Sequence, residues 1–212
     1  MDQPVAYIPM DRRQAMAQGG ALPEQTYGAA LFADISGFTP LTEALARALG
    51  AQRGAEELTR YLNLVYDALI AEVDRYGGSV LSFAGDAITC WFDHRAPDSL
   101  ELEANLGQTL AAHRAATCAL AMQQAMQQFV SLPVPDGTMV GLAMKVAVAA
   151  GSVRRFLVGD SALQLLDVLA GATLERLAAA EHLAKPGEIV LDPTAATLLG
   201  CGAFVSEWRG GD

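Results

Sequence analysis

Hydrophobic and polar positions alternate along this chain in patterns that predict both strands and helices. Residues 27–35 form an almost wholly apolar run, which predicts a buried strand. Residues 39–49 are expected to form a short helix, with Thr39 as its N-cap and Pro40 at the first helical position. Between residues 58 and 73, apolar side chains recur at intervals of three and four, which predicts a longer helix.

A hairpin is expected to follow the long helix. Gly77 and Gly78 provide the glycine signal that commonly ends a helix. Residues 80–83 and 88–92 then predict two strands, joined by a tight turn with Asp86 at its tip. Further along, the pattern predicts a helix over residues 102–129, a turn over 131–138, strands over 139–149 and 153–158, a helix over 170–182 and a strand over 189–191.

The expected elements follow one another in the order β-α-α-β-β-α-β-β-α-β. Hairpins that alternate with helices over one sheet predict an α+β fold, a ferredoxin-like βαββαβ sandwich. Residues 27–212 are expected to form this domain, and residues 1–26, in which proline and glycine are frequent, an arm or linker. Composition leaves open whether the arm covers a groove or simply links.

Charge and composition narrow the classes of function. The 212 residues include 24 acidic and 14 basic side chains, which gives a formal net charge of −10. Such a chain is a poor general binder of nucleic acid, and divalent ions would have to mediate its binding of a triphosphate. The three cysteines are widely spaced, and no signal peptide or bilayer-spanning apolar run is recognisable. We therefore expect a cytoplasmic protein without membrane insertion.

Two aspartates stand in matching contexts. Asp34 ends an apolar strand shortly before Gly37, and Asp86 directly follows Gly85 after another apolar strand. If the strands are neighbours, both carboxylates emerge at one edge of a sheet. Oxygen ligands in that arrangement suit Mg²⁺ or Mn²⁺, which indicates phosphate chemistry. Either aspartate alone would be typical of an ordinary turn, but the matched pair favours metal binding.

The two aspartate motifs resemble those of the class III nucleotidyl cyclases. They read Phe-Ala-Asp-Ile-Ser-Gly-Phe-Thr at residues 32–39 and Phe-Ala-Gly-Asp-Ala at 83–87, with Gly-Gly at 77–78 and Ala-Lys-Pro-Gly-Glu-Ile at 184–189. The resemblance covers about residues 27–195 and is closest to the first catalytic domain of soluble, bicarbonate-responsive adenylyl cyclase. It implies that two such domains meet head to tail and convert ATP, or GTP, to cyclic nucleotide and pyrophosphate in their shared groove.

The same resemblance implies which residues form the site. Asp34 and Asp86 would hold two Mg²⁺ or Mn²⁺ ions, with the carbonyl of Ile35 completing one shell. The residues implied in nucleotide binding are Gly37, Phe38, Thr39, Gly85, Arg154 and Arg155. For the two arginines, a solvated strand end is an equally good interpretation. Arg176 and Lys145 could line a pseudo-symmetric second pocket, where the soluble cyclases accept bicarbonate.

Four positions depart from the family pattern. Ser82 stands where a purine-reading lysine is expected, and Val168 where a second purine-reading residue is expected. Glu175 replaces the asparagine that orients the ribose, and Ala179 replaces the arginine that neutralises the transition state. The resemblance therefore implies the metal-bearing half of a cyclase, nearly inactive as a symmetric homodimer. It would need a complementary cyclase domain in the same or another chain.

Two alternatives stay open from the sequence. The missing asparagine and arginine would also suit a catalytically silent, cyclase-like regulatory module that dimerises in signal transduction. An unrelated ferredoxin-like phosphotransferase is less favoured, because no nucleophilic histidine or lysine accompanies the aspartates. Activity in the presence of a complementary domain would separate the first alternative from a cyclase.

Overall fold

The computed structural model describes residues 8–94, 104–160, 164–203 and 205–210. Its strands are β1 (Gln25–Ser36), β2 (Ser79–Ala84), β3 (Ala87–Asp93), β4 (Leu132–Pro133), β5 (Met139–Val140), β6 (Ala143–Asp160), β7 (Gln164–Ala170) and β8 (Ile189–Leu191). Its helices are α1 (Met10–Ala17), α2 (Phe38–Leu49), α3 (Ala51–Arg75), α4 (Ala104–Met126), α5 (Ala172–Leu183) and α6 (Pro193–Leu199).

Six of the strands form one mixed sheet. Neighbours in the order β2-β3-β1-β6-β7 pair antiparallel, and β8 pairs parallel with β6. The short strands β4 and β5 form a separate two-stranded ribbon. Helices pack against this sheet, so the predicted α+β fold is confirmed.

The sheet contributes to a core on each of its faces. The larger core packs α2, α3, α4 and α6 against one face and includes Leu31, Leu69 and Met122. The smaller core packs α5 against the other face and includes Ala30 and Leu177. Consecutive residues of a strand point to opposite faces, so a strand buried on both sides is apolar at almost every position. This explains the uninterrupted apolar run in β1.

The start of α2 differs from the prediction. The helix begins at Phe38 with Gly37 as its N-cap, so Thr39 is not the cap and Pro40 is the third helical residue. Gly37 has a φ of 106°, in the left-handed region that favours glycine. A Cβ atom at this position would lie 2.4 Å from the carbonyl oxygen of Gly141. The cap lies two residues earlier than predicted, at a position where the positive φ and the nearby loop both require glycine.

The strands after α4 require two corrections. The separate strands expected over residues 139–149 and 153–158 are wrong, because β6 is one strand of 18 residues and the first two expected residues belong to β5. Gly151, at the expected break, lies inside β6, where a Cβ atom would be 2.7 Å from Oγ1 of Thr173 in α5. Glycine is needed there because the helix approaches closely. Strand β7, which carries Val168, was not predicted.

The remaining helices lie close to their expected positions. Helix α4 ends at Met126 and continues into a 3₁₀ turn, while residues 102–103 of its expected start lie outside the described residues. Helix α5 begins at Ala172, because Ala170 is still part of β7. Among the residues that the structure describes, no helix is both long and apolar enough to cross a membrane.

A cluster of four charged residues holds α1 against the sheet. The guanidinium of Arg155 in β6 donates hydrogen bonds to both Asp11 of α1 and Asp167 of β7. Nε of Arg12 also donates to Asp167, at 2.5 Å, and the N–H of Asp11 donates to Oγ of Ser79 in β2, at 2.9 Å. No residue of α1 is buried. These four residues, called the charged clasp below, attach α1 to β6 and β7. With the Ser79 contact on β2, α1 is therefore joined to the first and the last strand in the sheet order.

Candidate functional site

Strand pairing brings the two predicted metal ligands, Asp34 and Asp86, to the same end of the paired strands β1 and β3. This end of the strands is called the aspartate edge below. Asp34 lies near the end of β1, where it pairs with Ala87 at the start of β3. One residue further, the N–H of Ile35 donates to the carbonyl oxygen of Asp86, at 3.2 Å. The carboxylate of Asp34 is 29% exposed and Asp86 is exposed, so both can be reached from solvent. The neighbouring strands that the sequence argument required are therefore present.

The turn that carries Asp86 is supported from α3. Gly85 has a φ of 64°, and the hydroxyl of Tyr66 donates to its carbonyl oxygen at 2.8 Å. The Tyr66 ring also packs edge-on against Phe83, with centroids 5.4 Å apart. Burial, and then the charge of Asp86, raises the pKa of Tyr66. Sequence reasoning missed Tyr66, since its only signal was a polar-tipped aromatic residue within the helical pattern.

Replacing Tyr66 with phenylalanine should loosen this turn. The change keeps the ring against Phe83 but removes the hydrogen bond to Gly85. We expect a loss of about 0.5–1.5 kcal/mol in the free energy of unfolding. Hydrogen exchange should also speed up at residues 84–87. Urea unfolding and exchange mass spectrometry would measure both, and unchanged exchange in the turn would contradict the assigned role.

The loop after β1 leads directly into the first turn of α2. The N–H of Leu41 donates to the carbonyl oxygen of Gly37, which closes the first helical hydrogen bond. The N–H groups of Phe38 and Thr39 belong to the first turn, where no intrahelical acceptor exists. The Phe38 side chain packs into the core, while Thr39 is exposed. Donors at a helix N-terminus favour anions, so this loop suits the predicted phosphate contacts.

A lysine lies beside the aspartate edge. Lys145 pairs with Asp34 across β1 and β6, and its Nζ lies 3.3 Å from Oδ2 of Asp34. The same Nζ donates to Oε1 of Glu181 in α5, at 2.5 Å. The hydrogen bond to Glu181 raises the pKa of Lys145; burial opposes this, and Asp34 adds to it. The sequence did not predict which strand β6 pairs with, so it did not assign Lys145 to this edge.

The donor set suits a small divalent ion that also binds phosphate. Asp34 and Asp86 offer carboxylate oxygens. The backbone of Ile35 adjoins both residues, because Ile35 follows Asp34 and its N–H donates to the carbonyl oxygen of Asp86. In the described part of the chain, no group of three or more His, Cys, Asp or Glu side chains could hold a metal. Mg²⁺ commonly uses only one or two carboxylates, with water and phosphate oxygens filling the remaining positions. The residues therefore fit Mg²⁺ or Mn²⁺ better than zinc.

The two predicted arginines lie at the other end of β1. Arg154 pairs with Gln25, nine positions before Asp34, which corresponds to roughly 30 Å along a strand. Arg154 is exposed, whereas the Arg155 side chain is only 2% exposed within the charged clasp. The structure therefore does not bring either arginine to the aspartate edge, and their contact with a nucleotide stays a prediction.

The positions that depart from the family pattern lie on three elements. Ser82 is exposed on β2, Val168 lies on β7, and Glu175 and Ala179 are exposed on α5. Arg176, also on α5, donates to Asp192 at 2.7 Å and to the carbonyl oxygen of Ala150 at 2.7 Å. It is thus engaged by a buried carboxylate that caps α6, separately from the Lys145 ion pairs.

Comparison with protein families and curated proteins gives consistent matches. The family model described as adenylate and guanylate cyclase catalytic domain matches residues 24–211. Adenylate cyclase type 10 of Rattus norvegicus is 28% identical over 167 residues, which are 78% of this chain and 9% of the rat protein. The Homo sapiens protein of that name is 27% identical over 198 residues, 91% of this chain and 11% of its own length. The chain spans about a tenth of these relatives.

Solved structures share the fold. The adenylyl cyclase CyaB from P. aeruginosa superposes with a TM-score of 0.65 at 21% identity, covering 82% of this chain and 81% of that chain. The guanylyl cyclase Cya2 gives a TM-score of 0.63 at 21% identity, covering 86% and 83%. The guanylate cyclase domain of RhGC from Catenaria anguillulae, in complex with GTP, gives 0.60 at 18% identity, covering 84% and 85%.

Proposed function

Because the chain belongs to the adenylate and guanylate cyclase catalytic domain family, we propose that it is the metal-bearing half of a class III nucleotidyl cyclase. It forms cyclic AMP and pyrophosphate from ATP at an interface with a complementary catalytic domain. The preference for ATP over GTP rests on the likeness to adenylate cyclase type 10. Ser82 and Val168 offer no charged group that would read a purine.

The observation that carries this proposal is the shared edge of Asp34 and Asp86. Their carboxylates, with the carbonyl of Ile35, would hold two Mg²⁺ or Mn²⁺ ions. Bound there, the ions supply Lewis-acid stabilisation of negative charge at the attacking ribose oxygen and the phosphates. The protein keeps the ligands in place through the pairing of β1 with β3 and through Tyr66, which fixes the turn of Asp86.

Neighbouring groups bind and orient the triphosphate. The N–H groups of Gly37, Phe38 and Thr39 donate to phosphate oxygens at the N-terminus of α2. Gly85 leaves room for the substrate beside Asp86, since nothing lies within 4 Å of where its Cβ would be. Lys145 lies at the same edge, so its ammonium can neutralise one phosphate charge as a mobile point charge.

The second half of a working site is expected from another domain. Glu175 carries a negative charge where an amide would orient the ribose, and Ala179 has no group that neutralises the reacting phosphate. Loss of one such electrostatic contact typically lowers turnover by about 10²–10³. A symmetric pair of these chains would therefore hold complete metal sites and empty partner sites.

A catalytically silent, dimerising regulatory module is the second candidate. The replaced positions on α5 favour it, and an exposed apolar surface is compatible with it. This surface lies on β6 and β7 and consists of two cross-strand pairs, Phe156 with Val168 and Val158 with Leu166. Each of the four residues is 37–52% exposed to solvent. Such a surface suits contact with another domain under either proposal.

Assays of cyclic nucleotide formation test the proposal. The chain is incubated with ATP or GTP and Mn²⁺, alone and mixed with a purine-reading cyclase domain. We expect silence alone and product in the mixture. Robust activity of the chain alone would show that the four replaced positions were wrongly interpreted. Silence in both, without Mn²⁺-dependent nucleotide binding, would favour the regulatory module.

A further inference from the structure

Lys145 lies between two carboxylates that belong to different parts of the fold. Its Nζ is 3.3 Å from Oδ2 of Asp34 on β1 and 2.5 Å from Oε1 of Glu181 on α5. The three side chains are 20–29% exposed, so none is locked in the core. One ammonium therefore bridges a predicted metal ligand and a second carboxylate that has no role in the proposed chemistry.

We propose that Glu181 is a positioning residue that sets where Lys145 rests and so controls access of the metal to Asp34. The inference depends on the proposed function, since it assumes that Asp34 binds the ion. Before the ion binds, Lys145 acts as a removable counterion of Asp34. When a divalent cation binds to Asp34, Lys145 withdraws toward Glu181.

Electrostatic repulsion requires Lys145 to leave Asp34 when the divalent ion binds. A divalent ion on Asp34 would repel an ammonium group held 3.3 Å from the same carboxylate. The four-carbon stem of lysine allows its charge to move by a few ångströms without a change in the backbone. Glu181 already holds the shorter of the two contacts and offers the place to which the ammonium withdraws. Without Glu181, Lys145 would pair with Asp34 alone.

The proposal predicts effects of opposite sign for the two partners. Lys145→Met removes the competing cation, so Mn²⁺ should bind about tenfold more tightly in the absence of nucleotide. Glu181→Gln releases Lys145 to Asp34, so Mn²⁺ should bind about three- to tenfold more weakly. A purely structural ion pair would instead weaken the site in both variants. These magnitudes correspond to roughly 1 kcal/mol, as expected for partly exposed charges.

A double variant separates positioning from a simple field effect. Removing the charge of Glu181 would by itself lower the attraction for a cation. If Glu181 acts through Lys145, Glu181→Gln should change Mn²⁺ affinity by less than about twofold when Lys145→Met is already present. If it acts only through its field, the two changes should add.

The experiment measures Mn²⁺ binding from the free-ion signal in electron paramagnetic resonance, on the full chain without nucleotide. Glu56→Gln, which removes a surface charge on α3, serves as the matched control and should bind as the wild type does. Glu181→Asp, which restores a carboxylate, should recover most of the lost affinity. Thermal unfolding of each variant establishes that it is folded.

The outcomes distinguish this inference from the function on which it rests. Suppose that Asp34→Asn abolishes Mn²⁺ binding, but Glu181→Gln either leaves Mn²⁺ affinity unchanged or has an effect that adds to that of Lys145→Met. Glu181 then does not position Lys145, and the proposed metal site stands. If the wild type and Asp34→Asn bind Mn²⁺ equally, both the proposed site and this inference fail. Opposite shifts with the non-additive double variant would support both.

Discussion

Asp34→Ala should lower cyclic nucleotide formation, in the mixture with a complementary domain, by at least about 10²–10³. The variant removes a carboxylate that the pairing of β1 with β3 places beside Asp86. One remaining carboxylate would hold a divalent ion weakly, and the charge that develops on the phosphates would go unstabilised. Initial rates at saturating ATP and Mn²⁺ measure the effect.

Matched variants make that result specific. Asp34→Asn retains the shape of the side chain but not its charge, so it should be nearly as inactive. Asp86→Ala should behave in the same way, because the two aspartates share one edge. Asp67→Ala, an exposed change on α3, should retain wild-type rates. Near-normal turnover of Asp34→Asn would refute metal binding by this carboxylate.

Arg155→Ala should destabilise the fold by about 3–5 kcal/mol. Its guanidinium donates to Asp11 and Asp167, and the Asp167 side chain is only 1% exposed. Its loss takes the main partner from two carboxylates, and Arg12 alone would compensate the buried Asp167 only in part, which is costly in a buried ion pair. Urea unfolding at neutral pH measures the change. Exposed Arg154→Ala, the neighbouring position, should cost less than about 0.5 kcal/mol.

Acid should weaken the same charged clasp. Burial alone would raise the pKa of Asp167, but hydrogen bonds from Arg155 and Arg12 lower it overall. A carboxyl whose pKa is depressed stabilises the fold above its unfolded value of about 3.9 and loses that contribution as the pH falls through the folded value. Asp167→Asn should therefore lose less stability on acidification.

If Arg155→Ala weakened nucleotide binding without destabilising the fold, Arg155 would instead be a ligand-binding residue.

Local pattern was sufficient for the part of the chain that forms the aspartate edge. Residues 28–33 of β1 are apolar and almost all buried, and the β2–β3 hairpin is closed by a four-residue turn with glycine at a positive φ. These features depend on neighbours in sequence. They place Asp34 and Asp86 at strand ends, so their meeting could be anticipated from one assumption, that β1 and β3 are adjacent.

Residues that depend on distant pairing were not accessible in this way. Lys145 reaches the edge only because β6 pairs with β1 over twelve residues in one register. Tyr66 reaches Gly85 through the packing of α3, and Arg155 is buried by partners in α1 and β7. In each case the partner is remote in sequence, and side-chain chemistry alone does not select it.

The charged clasp also has a consequence for the order in which the chain folds. Asp11 is separated from Ser79 by 68 residues and from Arg155 by 144. At synthesis rates of about 5–20 residues per second, α1 would leave the ribosome roughly 7–30 seconds before Arg155 does. An eight-residue helix that buries no side chain has little stability by itself. We therefore expect α1, although it is synthesised before the strands that it contacts, to dock only after β6 and β7 have formed its binding site.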